Sequence, residues 1–324
     1  MGHPSRRVAL VLGAGGVAGG AFHAGVLAAV HDATGWDPRT AAVIVGTSAG
    51  SITAASLRAG LSAGDLLARA EDRPLSAEGQ RLVRRVGPMR GLPFARPART
   101  ARPPADLLGT LARAARRPLA ARPWALAAAL LPEGSVSTDV IAEGLGGLVP
   151  DAWPDEALWI CAVRQADGRR RVFGRDDGRP AVPAAVAASC AIPGFFSPVL
   201  VDGEPHIDGG VHSPTNADVL LAAGPLDLVL VSSPMSRQGR RPRLAADQAV
   251  RTWSGALLDA EAARLRRRGT RVVAFQPDEA VLAEMGQNAM DPRRRAGIAG
   301  AAKRSAHHKL ARADVAARLA VLRG

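Results

Sequence analysis

The sequence predicts an α/β protein whose central sheet is mostly parallel and covered by helices on both faces. Short, continuously apolar segments such as 6–12 and 41–46 alternate with alanine-rich segments of helical length, which is the pattern of strands buried on both sides. Apolar residues make up 47% of the 324-residue chain, but aromatic residues only 3%. The chain can therefore bury a sizeable core, and this core must consist mainly of alanine, valine and leucine.

The N-terminal part of the chain is expected to contain two units of strand, turn and helix. Their elements are a strand at 6–12, a glycine-rich turn at 13–20, a helix at 21–33, a strand at 41–46 and a helix at 48–60. Gly60 gives the second helix a C-terminal stop, because glycine readily takes the left-handed conformation found there.

A second group of strands and helices is expected after residue 150. It comprises strands at 157–163 and 170–174, a hairpin at 196–210, a strand at 226–234, a helix at 245–268, a strand at 271–277 and a helical C-terminal region at 278–324. Together the two groups predict a single domain over 1–324.

The segment 72–133 interrupts this pattern and is expected to be a lid insertion. Its nine prolines forbid long regular elements, although short helices fit 105–117 and 124–131. Residues 73–132 carry twelve arginines and two acidic residues, a net charge of +10 out of +13 for the whole chain. Four interpretations stay open: a loosely ordered lid with solvated charge, peripheral contact with an anionic membrane surface, a protein partner site, and a nucleic-acid site. We expect no nucleic acid, because the chain has no recognisable binding module and no aromatic platform for bases.

The N-terminal segment 5–30 imitates a secretory signal, with paired arginines before an apolar run. Its glycines would break the helix of such a signal, so we expect strand, turn and helix instead. No uninterrupted apolar run reaches about 18 residues, the length at which a transmembrane helix becomes a candidate. The two cysteines, Cys161 and Cys190, lack metal-ligand spacing. A cytoplasmic location, at most peripheral to a membrane, is expected.

The first motif is Gly46-Thr47-Ser48-Ala49-Gly50, which matches G-x-S-x-G. It lies between a β-branched strand and the start of a helix, where a sharp turn makes the serine hydroxyl project. The flanking glycines are needed because neighbouring chains approach closely. Ser48 is therefore a candidate nucleophile, and the alternative is a serine that caps the helix after an ordinary βα turn.

The second motif is the glycine-rich segment 13–19, GAGGVAG. Backbone NH groups of such a turn can hold an anion, either a phosphate or the oxyanion of an acyl-transfer intermediate. Residues 13–18 also satisfy the dinucleotide fingerprint, which requires an acidic residue at the end of the second strand. The acid at the expected distance, Asp32, falls at the end of a predicted helix, and the second strand leads into Ser48. Nucleotide binding is the alternative.

The third motif is Asp208-Gly209-Gly210 in the segment 206–218. Asp208 ends a predicted strand, and the two glycines let the backbone turn tightly and approach a neighbouring loop. The alternative is an ordinary Asp-Gly hairpin turn. The polar sequence SPTNAD follows where a return strand should begin, which disfavours that alternative.

Taken together, the three motifs resemble the patatin-like phospholipase family from Val8 to about Pro234, outside the lid. The segment 188–199, ASCAIPGFFSPV, also resembles the family's S-x-A-x-P-x-x-F-x-P stretch. The resemblance implies a three-layer α/β/α patatin-like fold. It also implies that a glycine-rich loop supplies the oxyanion hole, that G-x-S-x-G carries the nucleophile, and that D-G-G carries the other catalytic side chain.

In this sequence the resemblance implies Ser48 and Asp208 as catalytic residues and the backbone of Gly15 and Gly16 as oxyanion donors. The further motif residues are Gly13, Gly19, Gly46, Gly50, Gly209 and Gly210. One departure is Ala18, which stands where the family's loop usually carries an arginine or lysine. Backbone donors at Gly15 and Gly16 need no such side chain.

A serine nucleophile needs a base, and the chain offers histidine and aspartate. His206 and His212 flank Asp208, and His206 would share the aspartate's side of a strand. His23 lies in the first predicted helix, where the family commonly has a histidine that is not catalytic. The resemblance favours a direct Ser48–Asp208 dyad, in which partial burial raises the aspartate pKa above its value of ~3.9 in water.

The sequence therefore predicts a serine acyl hydrolase that cleaves carboxylic ester bonds of lipids through an acyl-enzyme, without metal or organic cofactor. Phospholipid, lysophospholipid and acylglycerol all stay open as substrates. The alternatives are a nucleotide-binding α/β enzyme that uses residues 13–19, and a catalytically weak lipid- or partner-binding protein on the same fold.

Overall fold

Residues 6–84, 134, 136–176, 178–238 and 246–322 are described by a computed structural model. These residues form eight strands, all close to the predicted positions. The strands are β1 (Val8–Leu12), β2 (Val43–Thr47), β3 (Ala157–Arg164), β4 (Arg170–Phe173), β5 (Val199–Val201), β6 (Glu204–Asp208), β7 (Leu228–Ser232) and β8 (Arg271–Phe275).

Ten α-helices occur in the same described part of the chain. The helices are α1 (Gly16–Thr34), α2 (Ala49–Arg58), α3 (Ala63–Ala70), α4 (Ala77–Val83), α5 (Asp139–Gly146), α6 (Val182–Ser189), α7 (Ala246–Arg267), α8 (Glu279–Met285), α9 (Arg295–Leu310) and α10 (Ala313–Leu319). None of the described helices is both long enough and apolar enough to span a membrane.

The strands form one sheet in the order β5-β6-β3-β2-β1-β7-β8, and β4 pairs with β3. The five strands β3, β2, β1, β7 and β8 run parallel. The remaining pairs, which involve β4, β5 and β6, are antiparallel. The predicted mostly parallel sheet is confirmed, and the hairpin expected at 196–210 is the pair β5–β6.

Alternation along the strands sends side chains into two hydrophobic cores, one on each face of the sheet. Leu10 and Ile44 belong to the core that contains α1, α2, α6 and α9. Val11 and Val45 belong to the opposite core, which contains side chains of α7. Both faces of the sheet are thus covered, and the three-layer α/β/α architecture is confirmed.

The strands β2 and β6 approach each other along one edge of β3. Residues 157–161 of β3 pair with β2, and residues 162–164 pair with β6. The opposite edge of β3 is taken by β4 over residues 160–163. Because β2 is parallel to β3 and β6 is antiparallel, the C-terminal ends of β2 and β6 meet. This arrangement places the residues that follow the two strands beside each other.

Helix α1 begins earlier than expected, at Gly16 rather than at residue 21. Gly16 has φ +61, a conformation that costs glycine little. The NH group of Ala18, in the first turn, donates to the carbonyl of Ala289 at 2.9 Å. This distant acceptor satisfies one of the NH groups that a helix start leaves without an intrahelical partner.

Four helices, α3, α4, α5 and α6, were not expected. The first of them begins with a capping box, in which Ser62 and Asp65 each bond the other's backbone NH. In the predicted lid, residues 77–83 form α4, whereas 85–133, including both predicted short helices, lie outside the described residues.

Candidate active site

The predicted nucleophile, Ser48, occupies a strained turn between β2 and α2. Its φ and ψ are 53° and −125°, a conformation that a residue with a Cβ rarely adopts. Hydrogen bonds hold the turn on both sides: the Ser48 NH donates to Ser189 Oγ at 2.9 Å, and the Ser48 carbonyl accepts from Ser51 Oγ at 2.6 Å. Ser189 Oγ in turn donates to the carbonyl of Cys161 at 2.6 Å. The surrounding serines therefore fix the backbone that carries the hydroxyl.

The flanking glycines of this turn have a steric reason. A Cβ on Gly50 would collide with the carbonyl of Leu12 on β1, and a Cβ on Gly46 would lie about 2.5 Å from Cα of Ser51. Helix α2 can start this close to the sheet only because both positions lack a side chain. This packing agrees with the expectation that glycine is needed at both positions because neighbouring backbone segments approach closely there.

The predicted partner, Asp208, is buried at the C-terminal end of β6. One carboxylate oxygen accepts a hydrogen bond from the NH of Gly210 at 2.7 Å. Burial raises the pKa of Asp208 to about 6, against the lowering effects of the nearby Ser48 side chain and of the Gly210 NH. A carboxylate with this pKa is ionised near neutral pH and is a stronger base than an aspartate in water.

A buried asparagine links the two strand ends. Asn216, with φ 51, donates from Nδ2 to Thr47 Oγ1 at 3.1 Å, to the Gly209 carbonyl at 3.2 Å and to the Ser213 carbonyl at 2.6 Å. Thr47 immediately precedes Ser48, and Gly209 immediately follows Asp208. Asn216 therefore helps to set the distance between the nucleophile and the carboxylate.

The glycine-rich segment forms the turn between β1 and α1. The NH of Gly13 donates to the Ser232 carbonyl at 3.0 Å and the NH of Ala14 to the Pro214 carbonyl at 2.8 Å. The next two NH groups, of Gly15 and Gly16, donate to no acceptor within the described part of the chain. They lie at the N-terminal end of α1, where unpaired NH groups and the helix dipole favour an anion.

Among the described residues, the hydrogen bonds of His23 and His206 do not reach Ser48 or Asp208. His23 bridges Ser232 Oγ and the Gly13 carbonyl, each at 2.8 Å, and burial lowers its pKa to about 4. His206 is bonded through Nδ1 to the Glu204 carbonyl at 2.9 Å and packs on Phe173.

The third histidine, His212, follows the turn after Asp208 and is partly buried. Its neighbour Asp218 is partly buried, which acts to raise the Asp218 pKa, but the hydrogen bond and charge of Arg170 lower that pKa, and His212 makes a smaller contribution in the same direction. Dinucleotide binding would need an acidic residue at the end of β2. Asp32, the acid at the expected distance, lies instead within α1 and pairs with Lys303 at 2.8 Å.

Ser48 opens into a cavity of about 240 Å³. The walls are mostly apolar and include Ile52, Leu66, Ile141, Leu145, Ile192 and Phe196. Gly16 also lines this cavity. An apolar chain attached to an ester could therefore lie against these walls with its carbonyl near both Ser48 and the start of α1.

Sequence reasoning did not identify Ser189 and Asn216 as site residues. Ser189 belongs to the segment 188–199, whose likeness to the family's stretch assigns it no role, and Asn216 belongs to the polar stretch after Asp208. Their partners lie up to 169 positions away in the chain, so no local pattern indicates these bonds.

Comparison with known proteins agrees with the predicted resemblance. Residues 10–221, more than half of the chain, match the patatin-like phospholipase family. Among solved structures the chain is similar to VipD from Legionella pneumophila, with 13% sequence identity and a TM-score of 0.45 over 95% of this chain and 67% of that chain. A comparison with curated proteins gave no match. The family match extends from β1 through the turn that follows Asp208, and the chain belongs to the patatin-like phospholipase family.

Proposed function

We propose that the protein is a serine acyl hydrolase that cleaves carboxylic ester bonds of lipids through a Ser48–Asp208 dyad. The observation that carries the proposal is a serine on a strained strand-to-helix turn, close to a buried carboxylate whose pKa burial raises to about 6. The apolar cavity beside Ser48 supports a substrate with an acyl chain. Membership of the family supports lipid ester hydrolysis as the reaction class.

The first half of the proposed reaction forms an acyl-enzyme. Ser48 Oγ attacks the ester carbonyl carbon while Asp208 accepts the hydroxyl proton. The negative charge that develops on the carbonyl oxygen is stabilised by the NH groups of Gly15 and Gly16. The tetrahedral intermediate then breaks the bond to the alcohol oxygen, and Asp208 returns the proton to the leaving alkoxide.

The second half restores the free enzyme. Asp208 accepts a proton from water, whose oxygen attacks the acyl carbon of the ester on Ser48. Breakdown of this intermediate releases the fatty acid, and the proton on Asp208 returns to Ser48 Oγ. One proton acceptor serves both halves, because it is regenerated each time a leaving oxygen is protonated.

The proposal predicts that Ser48→Ala loses hydrolysis of a short-chain p-nitrophenyl ester by at least about a thousandfold, because the covalent path is removed. Intact-mass spectrometry should detect an acyl adduct on the wild-type protein and none on the variant. Ser254→Ala is the matched control, since this buried serine bonds only within α7, to the Val250 carbonyl at 2.7 Å, among the described residues. Undiminished hydrolysis by Ser48→Ala, or an adduct on it, would contradict the proposal.

A further inference from the structure

The loop formed by residues 213–217 contacts all three parts of the proposed site. Asn216 donates to the residue before the nucleophile and to the residue after Asp208. The carbonyl of Pro214 accepts from the NH of Ala14 at 2.8 Å, next to the proposed oxyanion donors. The position of this loop therefore affects the nucleophile, the base and the oxyanion donors together.

A buried carboxylate on helix α7 holds the loop. One oxygen of Glu261, Oε2, accepts from Thr215 Oγ1 at 2.6 Å and from the NH of Ala217 at 2.8 Å. Only 6% of Glu261 is exposed to solvent. Thr215 and Ala217 are the two neighbours of Asn216 in the chain, so Glu261 fixes the backbone on both sides of the asparagine.

The backbone of Asn216 requires such support. Its φ and ψ are 51° and 29°, the left-handed conformation, which asparagine adopts more readily than most residues but which still costs free energy. A conformation of this kind persists where the surrounding structure enforces it. In this conformation the Asn216 amide reaches the ends of both β2 and β6.

The choice of a carboxylate also points to a positioning role. Burial raises the pKa of Glu261, whereas the side chains of Ser213 and Thr215 act to lower it. Burying a charged group is costly unless hydrogen bonds compensate it. Hydrogen bonds to a charged acceptor are shorter and stronger than bonds between neutral groups, which suits an acceptor that must hold a strained backbone.

We infer that Glu261 is a positioning residue for the proposed hydrolysis, which acts by bonding the residues on both sides of Asn216. Glu261 lies C-terminal to residues 10–221, which match the family, so this role belongs to a part of the chain that the three motifs do not reach. The inference rests on the proposed function and adds to it a residue that acts only through the loop.

The first test measures kcat and KM for a short-chain p-nitrophenyl ester. Glu261→Ala should lower kcat by about tenfold to a hundredfold and change KM by less than about twofold, because a small displacement of the reacting groups slows the chemical step. Glu261→Gln keeps an oxygen that can accept both bonds and should retain at least about a third of kcat. Wild-type kcat in Glu261→Ala, or an equal loss in both variants, would overturn the inference.

The control for a general loss of stability is Leu265→Ala, which removes a buried apolar side chain from the same helix. Below the Tm of this variant kcat should equal that of the wild-type protein. A fall in kcat as large as that in Glu261→Ala would show that any weakening of α7 has this effect, and would overturn the inference.

Thr215→Val tests the same bond without removing the carboxylate, and remains informative if Glu261→Ala does not fold. This variant keeps the size of the side chain but loses the hydroxyl donor, so kcat should fall. In the double variant Thr215→Val/Glu261→Gln the loss in kcat should be smaller than the product of the two single losses, because both substitutions weaken one bond. Losses that multiply would show that the two side chains act independently, and would overturn the inference.

The second test needs no hydrolysis and uses a Ser48→Ala background. Addition of Glu261→Ala should speed hydrogen exchange of the Ala14 amide, measured by NMR, by about tenfold or more as the loop loosens. Exchange within α9 should stay the same. Unchanged exchange at Ala14, or an equal increase in α9, would overturn the inference. An inactive wild-type protein that passes this test would overturn the proposed function alone.

Discussion

Under the proposed function, Asp208 is the residue at which activity and stability oppose each other. The carboxylate is buried, and its folded-state pKa of about 6 is above the ordinary value of 3.8. The folded protein therefore holds this proton more tightly than the unfolded chain does between these two pH values. As pH rises through this window the buried group must ionise, and the free energy of unfolding decreases.

The residue-scale prediction is that Asp208→Asn stabilises the fold at pH 8 more than at pH 4. A pKa difference of about two units corresponds to about 3 kcal/mol in the free energy of unfolding once ionisation is complete. The amide oxygen of asparagine can still accept the bond from Gly210. Urea unfolding at the two pH values measures the effect, with Asp202→Asn in the β5–β6 turn as control. An equal effect of Asp208→Asn at both pH values would contradict the burial argument.

Ser48 and Asp208 could be singled out from sequence because each lies in a short motif whose glycines have a local steric purpose. The hydrogen bonds that position these two residues could not be predicted from the sequence. Ser189 reaches the Ser48 NH from helix α6, and Asn216 reaches Thr47 from the loop after β6. These contacts depend on the folded sheet rather than on spacing along the chain.

At the scale of elements, the site depends on β2 and β6 ending at the same point along β3. Asn216 connects the residues next to these two ends. The sequence predicted both strands but not their shared edge, because a hairpin of β5 and β6 can pair with a sheet in more than one register. The pairing of Ala162 with Asp208 is set by tertiary packing.

The element-scale prediction concerns Asn216→Asp, which keeps the size of the side chain but replaces its donors with oxygens that face two carbonyl groups. The free energy of unfolding should fall by about 1–3 kcal/mol, the cost of buried groups left without partners. Since the strand ends lose their connection, kcat for a short-chain ester should also fall, with a smaller change in KM.

The matched control for this variant is Gln80→Glu. It makes the same change from donor to acceptor at an exposed side chain, whose Nε2 bonds the Leu75 carbonyl at 2.9 Å. A loss of stability in Asn216→Asp without any loss in kcat would limit Asn216 to a structural role.

At the scale of the whole molecule, the residues that form the sheet and the residues that carry most of the net charge lie in different parts of the chain. The α/β/α layers follow from the apolar pattern, since strands buried on both faces and alanine-rich helices leave few other arrangements. Most of the net positive charge lies in 73–132. Residues 85–133 lie outside the described structure, so contact of this segment with an anionic membrane surface stays one of the four open interpretations, and the single-domain organisation stays a prediction.

The chain brings together a serine near its start and an aspartate 160 positions later, and the proposed function requires that these two groups share one proton. The rate at which a fluorophosphonate labels Ser48, followed against pH by mass spectrometry, measures this directly, because labelling needs the same proton transfer but no lipid substrate.

In the wild-type protein the labelling rate should rise with pH through a midpoint near 6, where Asp208 becomes the ionised base. Asp208→Asn should label more slowly by orders of magnitude and lose this midpoint, whereas His212→Gln should keep both rate and midpoint. Labelling of Asp208→Asn at the wild-type rate with the same midpoint, or loss of the midpoint in His212→Gln, would contradict the dyad.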